Sequence, residues 1–193
     1  MSEAPPSDPI GESPVPEGLA ESWQVIHGYS ISIRPLRRAD LDIESAFVEG
    51  LSRETRYNRL LGGAINISRE YIEQLTTIDY SRDMALAAVV MTESSEVLIG
   101  VARYVMDAAP PGTLAPSEFA IVVADAWQGR GIGQNLLAKL IDVARGRGVP
   151  QLFGEILATN IGMQMMVKKL GFRLERHQGD ATVLRATLDL RAA

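Results

Sequence analysis

Gln128-Gly129-Arg130-Gly131-Ile132-Gly133 decides how this chain is read, because it joins an apolar strand to an amphipathic helix. Before it, Phe119-Ala-Ile-Val-Val123 has the run of a buried strand. After it, Ile132, Leu136, Leu137, Leu140, Ile141 and Ala144 recur at helical spacing. A strand that feeds a glycine loop at a helix start leaves backbone N–H groups unpaired and pointing one way. The helix dipole adds positive potential there, so the loop suits a phosphate or pyrophosphate. Glycine matters at these positions because a β-carbon would hold the ligand off the backbone. A tight turn that uses glycine for geometry alone is the alternative.

Two common phosphate motifs do not fit. A Walker A loop needs Lys followed by Ser or Thr, and Gln134-Asn135 follow Gly133 here. A dinucleotide fingerprint needs Gly-x-Gly-x-x-Gly, but its third position falls on Gln134 or Leu136. What remains is Gln-x-x-Gly-x-Gly, which resembles the coenzyme A loop of the GNAT acetyltransferase superfamily. Asn160-Ile-Gly-Met-Gln-Met-Met-Val-Lys-Lys-Leu-Gly-Phe172 is similar to that superfamily's second signature, in which an Asn starts a helix closed by Leu-Gly-Phe. The two signatures stand in the right order and on the right elements.

Composition bounds the rest. At 193 residues the chain is long enough for one domain with a real core. There is no cysteine, and His27 and His177 are the two histidines. No disulfide, thiol nucleophile, histidine-built triad or metal site is therefore expected. Residues 1–22 hold five prolines and five acids without Lys or Arg, and read as a disordered tail. The domain is expected over residues 23–193. The formal charge of −5 equals the tail's acids, leaving 19 basic against 19 acidic residues beyond it. A neutral body argues against a nucleic-acid partner. The tail lacks a signal-peptide pattern, and no apolar run approaches the roughly 20 residues that span a bilayer. No membrane partner is expected, and the cytoplasm is the default location.

Along the chain, Tyr29 to Ile33 alternates as a strand. Helices are expected from Asp40 to about Leu51, from Ser52 through Arg59, and from Ser68 to about Leu75, each with its first residue as the cap. Met84–Met91 and Val97–Val105 read as a hairpin, and Ala108–Pro116 as a loop. After the 132–147 helix come a strand at Leu152–Leu157, a helix at Asn160–Leu170, and a closing pair at Phe172–Arg176 and Thr182–Leu190. This is an α/β fold with a mixed sheet and helices on both faces. The resemblance implies a GNAT-like fold, with a central, mostly antiparallel sheet of six to seven strands.

A narrower resemblance covers most of residues 25–190. Phe47 to Arg59, Leu75 to Leu86 and Ser117 to Val123 are similar to segments of Pat-type bacterial protein lysine acetyltransferases. Members of that group often carry a cyclic-nucleotide module or a large acyl-CoA-synthetase-like region. Twenty-two tail residues cannot fold as either, so control by cyclic AMP within this polypeptide is not expected.

Acetyl transfer to an amine requires a held cofactor, a deprotonated acceptor and a stabilised oxyanion. The cofactor implied is acetyl-CoA, with no metal. The amides of Gly129, Arg130, Gly131, Ile132, Gly133 and Gln134 can cradle its pyrophosphate, with Gln128 fixing the loop. By resemblance, the backbone of Ile121, Val122 and Val123 pairs with the pantetheine arm, and Asn160 adds a contact. Glu118 opens the central strand on the face of Ala120 and Val122, and Pat-type enzymes carry their catalytic Glu at this position. A carboxylate among apolar strand residues suits a general base. Many superfamily members have a tyrosine acid where Val167 stands, so no acid is assigned. Tyr57, Tyr71 and Tyr80 are candidates to reach in from the helical region. Arg53, Arg56, Arg59 and Arg82, with Asp79 and Tyr80, are expected on the acceptor side, as binding groups or as solvated ion pairs.

The resemblance implies transfer to a protein lysine, with acyl-CoA synthetases among the substrates. Transfer to a small amine or protein N-terminus is one alternative. A non-catalytic acyl-CoA-binding regulatory module is another.

Overall fold

Every position of β3 (Met84–Met91) is apolar, and the structure buries all but the last. Met84, Leu86, Ala88 and Val90 join one core cluster, and Ala85, Ala87 and Val89 a second on the opposite face. A strand apolar on both sides belongs in the middle of a sheet covered twice. The computed structural model describes residues 14–26, 28–63, 67–93, 95–110, 113–177 and 179–191.

The other strands are β1 (Glu21–Ile26), β2 (Tyr29–Pro35), β4 (Glu96–Met106), β5 (Ser117–Val123), β6 (Gln151–Leu157), β7 (Arg173–Arg176) and β8 (Val183–Asp189). They form one eight-stranded sheet in the order β1-β2-β3-β4-β5-β6-β8-β7. Every pair is antiparallel except β5 with β6. Helices α1 (Leu41–Gly50), α2 (Arg53–Arg59) and α3 (Arg69–Thr76) precede the central strands, while α4 (Ile132–Gly146) follows β5 and α5 (Ile161–Lys169) follows β6. Phe47 and Leu51 of the α1 region pack on the second cluster. The first takes Leu136, Leu137 and Leu140 of α4 and Val167 of α5. Helices therefore cover both faces, as expected.

The predicted buried stripe of α4, Ile132 to Ala144, is the one the structure buries. Each large aliphatic side chain there contributes roughly 1.5–3 kcal/mol over leaving it in water. Ser52 accepts from Thr55 N and Ser68 from Tyr71 N, so both predicted caps form.

Two expectations change. The sheet has eight strands rather than six to seven, and β1 is the addition. It begins at Glu21 within the stretch expected to be tail, and Leu19 packs against the main core; residues 1–13 of that stretch lie outside the described residues. Asp40 makes no side-chain cap bond to α1. Its carboxylate is engaged by buried Arg34 through two bonds of 2.6 and 2.9 Å, and by Arg37 N. A bidentate charged pair outcompetes a single cap bond. The closing pair docks with β8 next to β6 and β7 outermost.

Candidate active site

The site is created by a ladder that stops. β5 pairs with β4 along its whole length, but with β6 only at Ser117↔Leu152 and Glu118↔Phe153. Beyond those pairs the parallel neighbours diverge, and one edge of Phe119–Val123 is left without a strand partner. The contact at the fork depends on Gly154, where an added Cβ would lie 2.8 Å from the Phe119 ring and 2.9 Å from its carbonyl oxygen. Phe119 is buried there against Phe172, with ring centroids 4.9 Å apart.

From Val123 the chain passes through a 3-10 turn at Asp125–Trp127 into the glycine loop. Gly129 and Gly131 have φ of +71° and +82°, and Gly131 is the N-cap of α4. The first helical bond is donated by Asn135 N to Gly131 O. Among the described residues, the N–H groups from Gly129 to Gln134 have no acceptor. Gln128 Nε2 donates to Val123 O at 3.0 Å and to Thr55 Oγ1 at 3.1 Å, tying the loop to the strand it left. Unpaired amides at a helix mouth beside an unpaired strand edge suit a phosphate followed by an extended amide-bearing chain.

A cleft of about 560 Å³ runs along this split. Ile121, Val122, Val123 and Gln128 line it, as do Gly129, Gly131, Gly133 and Gln134 of the loop. Asn160 lies on the far wall, where its Oδ1 caps α5 by accepting from Met163 N at 3.1 Å. Two predicted residues do not line the cleft. Ile132 is buried in the core, where its apolar side chain gains most. The exposed Arg130 guanidinium sits 5.7 Å from the centroid of the Trp127 ring in a cation–π contact at the edge of the loop. Ile132 therefore offers a ligand its main-chain amide alone.

Glu118 stands at the fork and lines the cleft, but it is exposed to solvent rather than walled in by apolar neighbours. The sequence reading did not single out a second carboxylate, Glu155, in the same cleft. Because Glu118 pairs with Phe153, and side chains alternate along a strand, Glu155 projects from the same sheet face as Glu118. Glu155 Oε1 lies 3.3 Å from His177 Nε2. The parallel register supplied the only signal for it, and register is not written in one strand's sequence.

On that face a second cavity, of about 470 Å³, lies among α1, α2, α3 and the β4–β5 surface. It shares Arg59, Ala120 and Val122 with the cleft. Glu44 is 2% exposed at its wall, with Oε1 3.4 Å from Arg103 Nη2 and Oε2 without a hydrogen-bond partner among the described residues. Burial pushes the Glu44 carboxyl up to about 7, and the nearby Arg103 charge only partly offsets this. Glu44 was missed as well, although Glu44, Phe47, Val48 and Leu51 share the i, i+3, i+4, i+7 stripe that faces a core.

Of the expected acceptor-side cluster, Arg53, Arg56 and Arg59 line this cavity. Arg82 does not, since it donates to the carbonyls of Met106 and Asp107. Asp79 is turned into its own loop, accepting from Ser81 N and Oγ. Tyr80 is buried and its hydroxyl donates to Leu36 O, which removes it as an acid. Tyr57 and Tyr71 line the second cavity rather than the cleft, and Val167 is fully buried.

A split parallel pair whose glycine turn opens a helix leaves a main-chain site suited to a phosphate followed by an extended chain. The chain belongs to the acetyltransferase (GNAT) family, whose model matches residues 56–172, and the protein is an acetyltransferase of that family, which uses acetyl-CoA. It is 36% identical over 155 residues to Acetyltransferase PA5475 of Pseudomonas aeruginosa, covering 80% of this chain and 81% of that one. Acetyltransferase Pat of Mycolicibacterium smegmatis is 32% identical over 149 residues, which are 77% of this chain and 43% of that longer protein. The solved GNAT domain of S. lividans PAT matches with a TM-score of 0.79 at 25% identity, covering 91% of this chain and 99% of that one. Among the described residues, no helix is long and apolar enough to cross a membrane.

Proposed function

We propose that the protein transfers acetyl from acetyl-CoA to the side-chain amine of a protein lysine, with Glu118 as general base. The observation that carries this reading is the pair of carboxylates, Glu118 and Glu155, on one face of the open split. Two carboxylates beside a narrow cleft favour a cationic nitrogen at its mouth. Similarity to the two Pat proteins supports a lysine as the source of that nitrogen.

Acetyl-CoA supplies an activated thioester. The amides from Gly129 to Gln134 hold its pyrophosphate, braced by Gln128, and the free edge at Ile121–Val123 takes the pantetheine arm as a strand would. Asn160 fixes the start of α5 on the opposite wall. Glu118, exposed at the fork, takes the proton from the acceptor ammonium directly or through one water. The sulfur of coenzyme A departs as a thiolate, a far better leaving group than an alkoxide, and takes its proton from solvent rather than from a dedicated acid.

The test incubates the protein with labelled acetyl-CoA, a cell lysate and a panel of small amines. Label on lysines of one or a few proteins supports the proposal. Label confined to free amines or protein N-termini replaces it with the alternative acceptor class.

A further inference from the structure

The lysine reading leaves the residues around that lysine undefined, and the second cavity bears on them. Its walls are mainly apolar, with Phe47, Leu51, Leu75 and Val101 among them. Its charges do not balance: Arg53, Arg56, Arg59 and Arg103 face Glu44 alone. Arg103 is engaged, donating to Glu44 Oε1 and, at 3.1 Å, to Leu75 O. Arg53, Arg56 and Arg59 make no ion pair among the described residues. An excess of arginine repels a bare ammonium and attracts a carboxylate. Deeper in, the unpartnered Glu44 Oε2 calls for a hydrogen-bond donor, because a buried acceptor left unpaired is costly.

We propose, resting on the lysine reading, that this cavity selects the segment flanking the acceptor lysine. An apolar side chain tipped by a hydrogen-bond donor, as in tyrosine, enters the cavity and satisfies Glu44 Oε2. A carboxylate nearby in the segment meets Arg53 and Arg56. The lysine is then left at the wall formed by Arg59, Ala120 and Val122, which the cavity shares with the cofactor cleft and which adjoins Glu118.

The test uses lysine peptides with labelled acetyl-CoA, varying the positions within four of the lysine among Asp, Ala and Arg, and one neighbour among Tyr, Phe and Gly. The wild-type protein should favour Asp over Arg by about tenfold in kcat/KM, and Tyr over Phe and Gly. The Arg53→Glu/Arg56→Glu protein should reverse the charge order while its calorimetric Kd for acetyl-CoA stays within about twofold, since neither residue lines the cofactor cleft. Circular dichroism checks that the variant is folded. An unchanged charge order, equal rates for Tyr, Phe and Gly, or loss of acetyl-CoA affinity in the variant would overturn the proposal. If neither protein acetylates any peptide although both bind acetyl-CoA, the lysine reading itself has failed.

Discussion

Ser52 Oγ donates to Asp125 Oδ1 at 2.7 Å across 73 positions of sequence. Ser52 caps α2, and Asp125 opens the turn that leads into the glycine loop. Ser52 N and Thr55 Oγ1 reach the same carboxylate at 2.9 and 2.7 Å, and Gln128 joins through Thr55. Burial works against the Asp125 charge, but these donors outweigh it and hold the carboxyl below the usual range. Helix α2 and the glycine loop therefore share one set of bonds. Asp125→Ala should raise KM for both acetyl-CoA and acceptor, by roughly threefold to tenfold, with kcat little changed. Initial-rate kinetics with each substrate varied in turn would reveal it, and a change in one KM alone would refute the shared role.

Glu118→Gln should lower kcat by roughly 10²–10⁴-fold while the acetyl-CoA Kd is nearly unchanged. Near-normal turnover in that variant would remove Glu118 from the mechanism. Glu155→Gln should act differently, raising acceptor KM several-fold with a smaller effect on kcat, because it attracts the ammonium without taking its proton.

Glu44 makes stability depend on pH. Burial raises its carboxyl to about 7 in the folded chain, against about 4.3 when unfolded. The folded state thus keeps a proton that the unfolded chain has released. The associated stability is fully present below about pH 4 and is lost as pH rises through 7, a swing on the order of 3 kcal/mol. Urea unfolding of the wild type and of Glu44→Gln between pH 5 and 8 should give curves that diverge over this range. Parallel curves would contradict the assignment.

Gly131→Ala tests the loop. With φ at +82°, a β-carbon costs about 1–2 kcal/mol of stability. It should also weaken acetyl-CoA binding by disturbing the amides that follow. Thermal unfolding reads the first effect and calorimetry the second; an unchanged Kd would detach the loop from cofactor binding.

Periodicity revealed the elements that bury a regular stripe: α4, the all-apolar β3 and the helices that Ser52, Ser68 and Asn160 cap. It did not reveal β1, an edge strand whose Glu21 and Ser22 are exposed and which follows directly on an acidic, proline-rich stretch. It misjudged Asp40, because the competing partner, Arg34, lies in the preceding strand and reaches it only when the sheet forms. The glycine loop was legible because its geometry is local. Glu155 and the placement of β8 beside β6 were not, since both depend on which strands pair and in what register. Glu44 lay within reach on its helical stripe, yet an acid in such a stripe is ordinarily assigned to solvent.

A sheet whose middle ladder breaks off after two rungs behaves as two plates joined at one corner. Strands β1 to β5 form one plate, and β6, β8 and β7 the other. A molecule that laces the open seam with main-chain bonds would act as a rivet, so amide hydrogen exchange should slow on both plates at once when the seam is filled.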